Sequence, residues 1–132
     1  MIYLDTAALV KLVRREVESD ALVDWIADRP DELLVSSALS EVELPRALRR
    51  TEPALLAALP GVLGRIAVYE IDELVRSTAA AYDDPAIRSL DAIHLATADA
   101  VLADDLTAFV TYNRRLLAAA EDLGLPVAAP AA

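Results

Sequence analysis

The segment Ile2-Tyr3-Leu4-Asp5-Thr6-Ala7-Ala8-Leu9-Val10-Lys11-Leu12-Val13 decides the architecture of this chain. Its apolar opening, Ile2–Leu4, reads as a short strand ending at an acid. Leu9, Leu12 and Val13 then return at helical spacing, and Thr6 can cap that helix. Strand and helix alternate from there on. Ser19 caps a helix with Leu22, Val23 and Ile26 on one face, and Leu33–Val35 reads as a buried strand. A helix is predicted from Ser37 through Arg50, and a second helical pattern over Glu52–Leu63. Ile66–Tyr69 reads as a strand, Asp72–Tyr82 as a helix capped by Asp72, Leu90–Leu102 as a long helix and Thr107–Thr111 as a strand. Arg114–Leu123 is a helix stopped by Gly124, and Pro126–Ala128 a last edge strand. Strands separated by helices predict an α/β fold, its central sheet mostly parallel and covered on both faces.

Open parallel sheets place their sites at the carboxyl ends of the strands. The polar residues expected there are Asp5-Thr6, Ser36-Ser37 and Thr111-Tyr112-Asn113. Asp5 follows its strand directly, and its carboxylate is expected to point off the sheet toward solvent; a helix-capping Asp is the structural alternative. Glu43 falls on a semi-apolar helix stripe, where an acid is unusual; pairing with Arg46 or Arg50 would explain it structurally. Glu41 falls on another face and is the fallback acid. Asp91 opens an otherwise small and apolar segment, and His94, three residues on, reads as a packing histidine. Asn113 suits a helix N-cap. Taken together, Asp5, Glu43, Asp91 and Asn113 suggest a chelating cluster, and oxygen ligands without cysteine select Mg²⁺ or Mn²⁺ over zinc.

Composition narrows the alternatives. The chain has 132 residues, which suits one domain over 1–132. The absence of cysteine excludes disulfides, thiolate zinc sites and a thiol nucleophile. Only Gly61, Gly64 and Gly124 occur, so no glycine-rich phosphate loop is present. The formal net charge is −10, which rules out a cationic carpet for nucleic acid. It leaves a basic partner, or local cations assisted by bound metal. Three cation clusters qualify: Lys11, Arg14 and Arg15; Arg46, Arg49 and Arg50; and Arg114-Arg115. Arg46, Arg114 and Lys11 are the weak RNA-binding candidates, with ordinary solvated helix faces as the alternative. No leader peptide or membrane span is read, and a cytoplasmic location is expected.

Four stretches carry a more specific pattern: Ile2–Thr6, Ser37–Leu44, Arg88–Ala98 and Phe109–Leu116. In this order they resemble VapC-type PIN domains, and the resemblance covers essentially the whole chain. Leu90-Asp91-Ala92-Ile93-His94-Leu95-Ala96-Thr97-Ala98 is its most specific part. The resemblance implies a three-layer α/β/α PIN fold, with Asp5, Glu43 and Asp91 as metal ligands. Glu43 is preferred to Glu41 because its distance from Ser37 matches the family. The usual fourth acid is Asn113 here, and Ala7 stands where the family often has Ser. Thr6 and Thr111 are implied as supporting hydroxyls. The implied activity is a Mg²⁺- or Mn²⁺-dependent endoribonuclease toxin of a VapBC system, with an RNA substrate, a VapB-type antitoxin and a homodimer. The alternative is a degenerate, weakly active PIN domain that binds antitoxin or RNA, because Asn113 replaces the fourth acid. A haloacid-dehalogenase-like phosphatase needs a second Asp where Ala7 stands. A receiver needs a late Lys, and Lys11 is the only lysine.

Overall fold

A computed structural model describes residues 1–131. Five strands form one all-parallel sheet in the order β3-β2-β1-β4-β5. They are β1 (Ile2–Leu4), β2 (Leu34–Ser37), β3 (Ala67–Tyr69), β4 (Ala108–Val110) and β5 (Val127–Ala128). The helices are α1 (Thr6–Val13), α2 (Ser19–Ala27), α3 (Ser40–Thr51), α4 (Leu59–Leu63), α5 (Glu73–Ala81), α6 (Ser89–Ala96) and α7 (Arg114–Asp122).

Alternation along β1 divides the interior. Ile2 and Leu4 face one side, packed with Leu9, Leu22, Leu44 and Leu48 from α1, α2 and α3. Tyr3 faces the other, with Phe109 and with Leu95 and Leu116 from α6 and α7. Helices on both faces of a parallel sheet make the three layers. The apolar residues of α1 and α2 are thus chiefly core. Among the described residues no helix is long and apolar enough to cross a membrane.

β1 lies at the centre, and the strand order reverses direction between β1 and β4. Ligand sites of parallel sheets form at such a switch point. Asp5 follows β1, and Thr111 follows β4.

Three expected boundaries shift, each for a physical reason. Ser37 does not open a helix: it pairs with Tyr69 as the last residue of β2, and α3 begins at Ser40. The Ser37 Oγ instead accepts from the Leu39 N–H, 3.1 Å away. Glu52–Leu63 is not one helix but a 3₁₀ stretch, Pro53–Ala58, followed by the short α4. Pro53 and Pro60 lack the N–H a continuous ladder needs. Leu90–Leu102 is also divided: α6 ends at Ala96, and Thr97–Leu102 widens into a π-helix. The Thr97 hydroxyl donates to the Ile93 carbonyl at 2.8 Å, competing with the α-helical ladder there.

Candidate active site

Asp5, Glu43 and Asp91 line one cavity of about 630 Å³, together with Thr6, His94, Tyr112 and Asn113. They reach it from the end of β1, the first turn of α3 and the first turn of α6. Asp5 does not point out to solvent as expected: it is 4% exposed, buried at the switch point. It is the N-cap of α1, its Oδ1 accepting from the Ala8 N–H at 2.9 Å. The Thr111 hydroxyl donates to its Oδ2 at 2.6 Å. Thr6 is therefore not the cap and turns its hydroxyl into the site.

A buried relay fixes Glu43. Thr6 Oγ1 donates to Glu43 Oε1 at 2.6 Å, and His94 Nε2 lies 3.0 Å from the same oxygen. His94 Nδ1 lies 2.6 Å from the Tyr3 hydroxyl. Burial pushes the Tyr3 phenol far up, with Asp5 adding to the effect, so its O–H stays protonated. The pattern suits the His94 tautomer that carries its proton on Nε2, donating to Glu43 and accepting from Tyr3. Ser40 Oγ stands 3.1 Å from Thr6 and 2.8 Å from Ser36, whose hydroxyl donates to the Leu4 carbonyl. Glu43 pairs with neither Arg46 nor Arg50; its partner is the 2% exposed His94. Sequence reasoning assigned His94 to packing, placed Ser36 at a strand end without a partner, and did not single out Tyr3 and Ser40. Their only signal was a polar atom on each of several apolar elements.

The three acids differ electrostatically. Burial raises the Asp5 carboxyl, and nearby Asp91 adds to the rise, against the pull of His94, Thr111 and Ala8. Burial likewise raises Asp91, with Glu43 contributing, while His94 and Arg88 oppose it. Burial opposes ionisation of Glu43 too, but the hydrogen bonds from His94 and Thr6 outweigh it and hold the carboxyl below its ordinary value. The site is a set of mutually repelling carboxylates facing open volume, and that suits a hard cation. Among the described residues no three histidine, aspartate or glutamate side chains are grouped so that they could hold an ion between them. Mg²⁺ does not require such a cage, because it keeps several waters and binds through one or two carboxylates. The donor chemistry therefore fits Mg²⁺ or Mn²⁺.

The remaining candidates separate cleanly. Glu41 is exposed and does not line the cavity. Arg46 is exposed and also does not line it, whereas Arg50, one turn on, does. Lys11 is at the rim, but both Glu16 and Glu18 hold its ammonium at 2.9 Å. Asn113 is the N-cap of α7, its Oδ1 accepting from the Arg115 and Leu116 N–H groups at 3.0 and 3.3 Å. Arg114 lies beside it in an adjoining cleft.

Comparison with known proteins settles the family. The PIN-domain family model matches residues 2–122. The chain is 60% identical over 131 residues to "Ribonuclease VapC35" of Mycobacterium tuberculosis, covering 98% of this chain and 97% of that protein. The chain belongs to the VapC-type PIN-domain family. "Ribonuclease VapC47" of the same organism is a PIN relative at 38% identity over 135 residues, covering 100% of this chain and 98% of that protein. The same PIN fold appears in the crystal structure of Mycobacterium tuberculosis VapC20, described as a Sarcin-Ricin loop cleaving toxin. Its TM-score is 0.72 at 16% identity, covering 90% of this chain and 95% of that one. It appears again in VapBC2 from Rickettsia felis bound to a promoter DNA fragment, with a TM-score of 0.73 at 14% identity, covering 97% of this chain and 98% of that one.

Proposed function

We propose that this PIN domain is a Mg²⁺- or Mn²⁺-dependent endoribonuclease, the toxin of a VapBC-type pair. The observation that carries the reading is the meeting of Asp5, Glu43 and Asp91 in one cavity at the sheet's switch point. Asp5 and Asp91, with Glu43 beside them, would hold the cation. When bound there, it supplies Lewis-acid stabilisation of phosphate charge and makes water more acidic.

The chain's own residues do the rest. Thr111 and the Ala8 N–H lock the Asp5 carboxylate in one orientation. Thr6 and His94 hold Glu43 ionised and fixed through one oxygen, leaving Oε2 for the cavity. Asp91 makes no side-chain hydrogen bond among the described residues, so it is free to accept a proton from attacking water. Water as nucleophile makes the RNA 2′-hydroxyl dispensable and leaves 5′-phosphate ends.

A VapB-type antitoxin fits the acidic chain, whose net charge of −10 would attract a basic tail. An arginine of that tail could reach the carboxylates and compete with the cation. A homodimer in the cytoplasm completes the proposal by resemblance to the family.

The test is cleavage of single-stranded RNA with Mg²⁺ or Mn²⁺, with Asp5→Asn as control. Cleavage should vanish with chelator and fall by about a hundredfold or more in the variant. Cleavage indifferent to both would remove the mechanism. No cleavage, with RNA or antitoxin binding intact, would instead favour a degenerate binding module.

A further inference from the structure

A second depression, about 330 Å³ in volume, adjoins the carboxylate cavity. Arg88, Arg114 and Arg115 line it with Asp91, Asn113 and Ala86. Asp91 and Asn113 line both depressions, so the two meet along that pair. All three arginines are exposed, and none forms an ion pair among the described residues.

The cations of α1 and the loop after it are different in kind. Lys11 is held by Glu16 and Glu18, Arg14 by Glu16, and Arg15 by Asp20. A phosphate arriving there meets cations already neutralised by the chain's own acids. At the arginine cleft the acid nearest to hand is Asp91 alone, because Asn113 is neutral.

Helix stability does not account for the arginines. Arg114 and Arg115 occupy the first turn of α7, which contains no acid. Cations at a helix N-terminus oppose the macrodipole, so this placement is mildly destabilising. A chain of net charge −10 thus places two unpaired cations where they weaken α7, with Arg88 lining the same cleft.

We infer that Arg88, Arg114 and Arg115 form a subsite for an RNA backbone phosphate beside the scissile one, so that the strand crosses this cleft and passes Asp91 into the carboxylate cavity. The inference rests on the ribonuclease reading and adds the side from which substrate is held. Arginine forks suit phosphate oxygens, and hydrogen bonds to backbone phosphate set register without reading sequence.

The test is fluorescence anisotropy of a short labelled oligouridylate, with chelator present to prevent cleavage, across a range of KCl concentrations. The chains compared are wild type, Arg88→Ser/Arg114→Ser/Arg115→Ser, the corresponding triple Lys variant, and Arg65→Ser as a remote control. The triple Ser variant should bind more weakly, and its slope of log affinity against log salt should be shallower by about 0.7 for each phosphate that is no longer neutralised. The triple Lys variant should keep most of the slope, and Arg65→Ser all of it. In cleavage with Mn²⁺ the loss should fall on KM rather than kcat. Equal affinity and slope in wild type and the triple Ser variant would overturn the subsite, as would a wild type that does not bind the probe. If the slope changes as expected but wild type does not cleave, the ribonuclease reading fails and the phosphate subsite stands.

Discussion

Asp5 caps α1 through the Ala8 N–H and receives the Thr111 hydroxyl, while burial and the neighbouring Asp91 push its carboxyl above the ordinary value of 3.8. Between that value and the raised one, the folded chain keeps a proton that the unfolded chain has released. The contribution of Asp5 to stability is therefore fully present below 3.8 and is lost as the pH rises through the raised value. An amide in place of the carboxylate can still accept from Ala8 and bond Thr111. Asp5→Asn should thus raise the Tm at neutral pH in chelator and remove part of the stability loss between acid and neutral pH. A lower Tm at neutral pH would show that the charged form is not the costly one. Asp5 could be picked from sequence by its place after an apolar strand, but its burial could not, because Thr111 is far away in the chain. His94 has the opposite history. Amid Ala92, Ile93 and Leu95 it reads as packing, and only the fold brings Tyr3 and Glu43 to its two nitrogens.

Among the elements, α7 shows how one residue can serve two readings. Asn113 Oδ1 accepts from two backbone N–H groups and so caps the helix, whatever else it does at the cavity edge. Asn113→Ala should cost about 1 kcal/mol in denaturant unfolding. Asn113→Asp should keep the cap, add a favourable charge at the N-terminus of α7 and tighten Mn²⁺ binding. If the Ala variant is as stable as wild type, the cap contributes nothing. If the Asp variant binds Mn²⁺ no better, Asn113 does not stand in for a ligand. The cap of α5 by Asp72 and the stop at Gly124, whose φ is 79°, were legible because each is a local signal. The start of α3 was not: pairing between β2 and β3 carries Ser37 into the strand, and that pairing joins segments distant in the chain. The π-helix after α6 was equally hidden, since Leu90–Leu102 contains neither proline nor glycine to mark a break.

At the scale of the whole molecule, alternating strands and helices were enough for the layered α/β architecture, and the mostly parallel sheet proves to be entirely parallel. Strand order was not legible, yet it is what makes a site: with β1 and β4 adjacent at the centre, Asp5 and Thr111 meet, and α3 and α6 bring Glu43 and Asp91 to the same mouth. The charge pattern also acquires meaning only in three dimensions. Of the three cation clusters, the one containing Lys11 is neutralised by Glu16, Glu18 and Asp20, and Arg114-Arg115 gain Arg88 as a neighbour.

The most direct test of the central claim is a calorimetric titration of Mn²⁺ into wild type and Asp91→Asn at neutral pH. Wild type should bind saturably, and the variant about tenfold or more weakly while remaining folded. Indistinguishable isotherms, or no binding to wild type, would contradict the assignment of these carboxylates as a cation site.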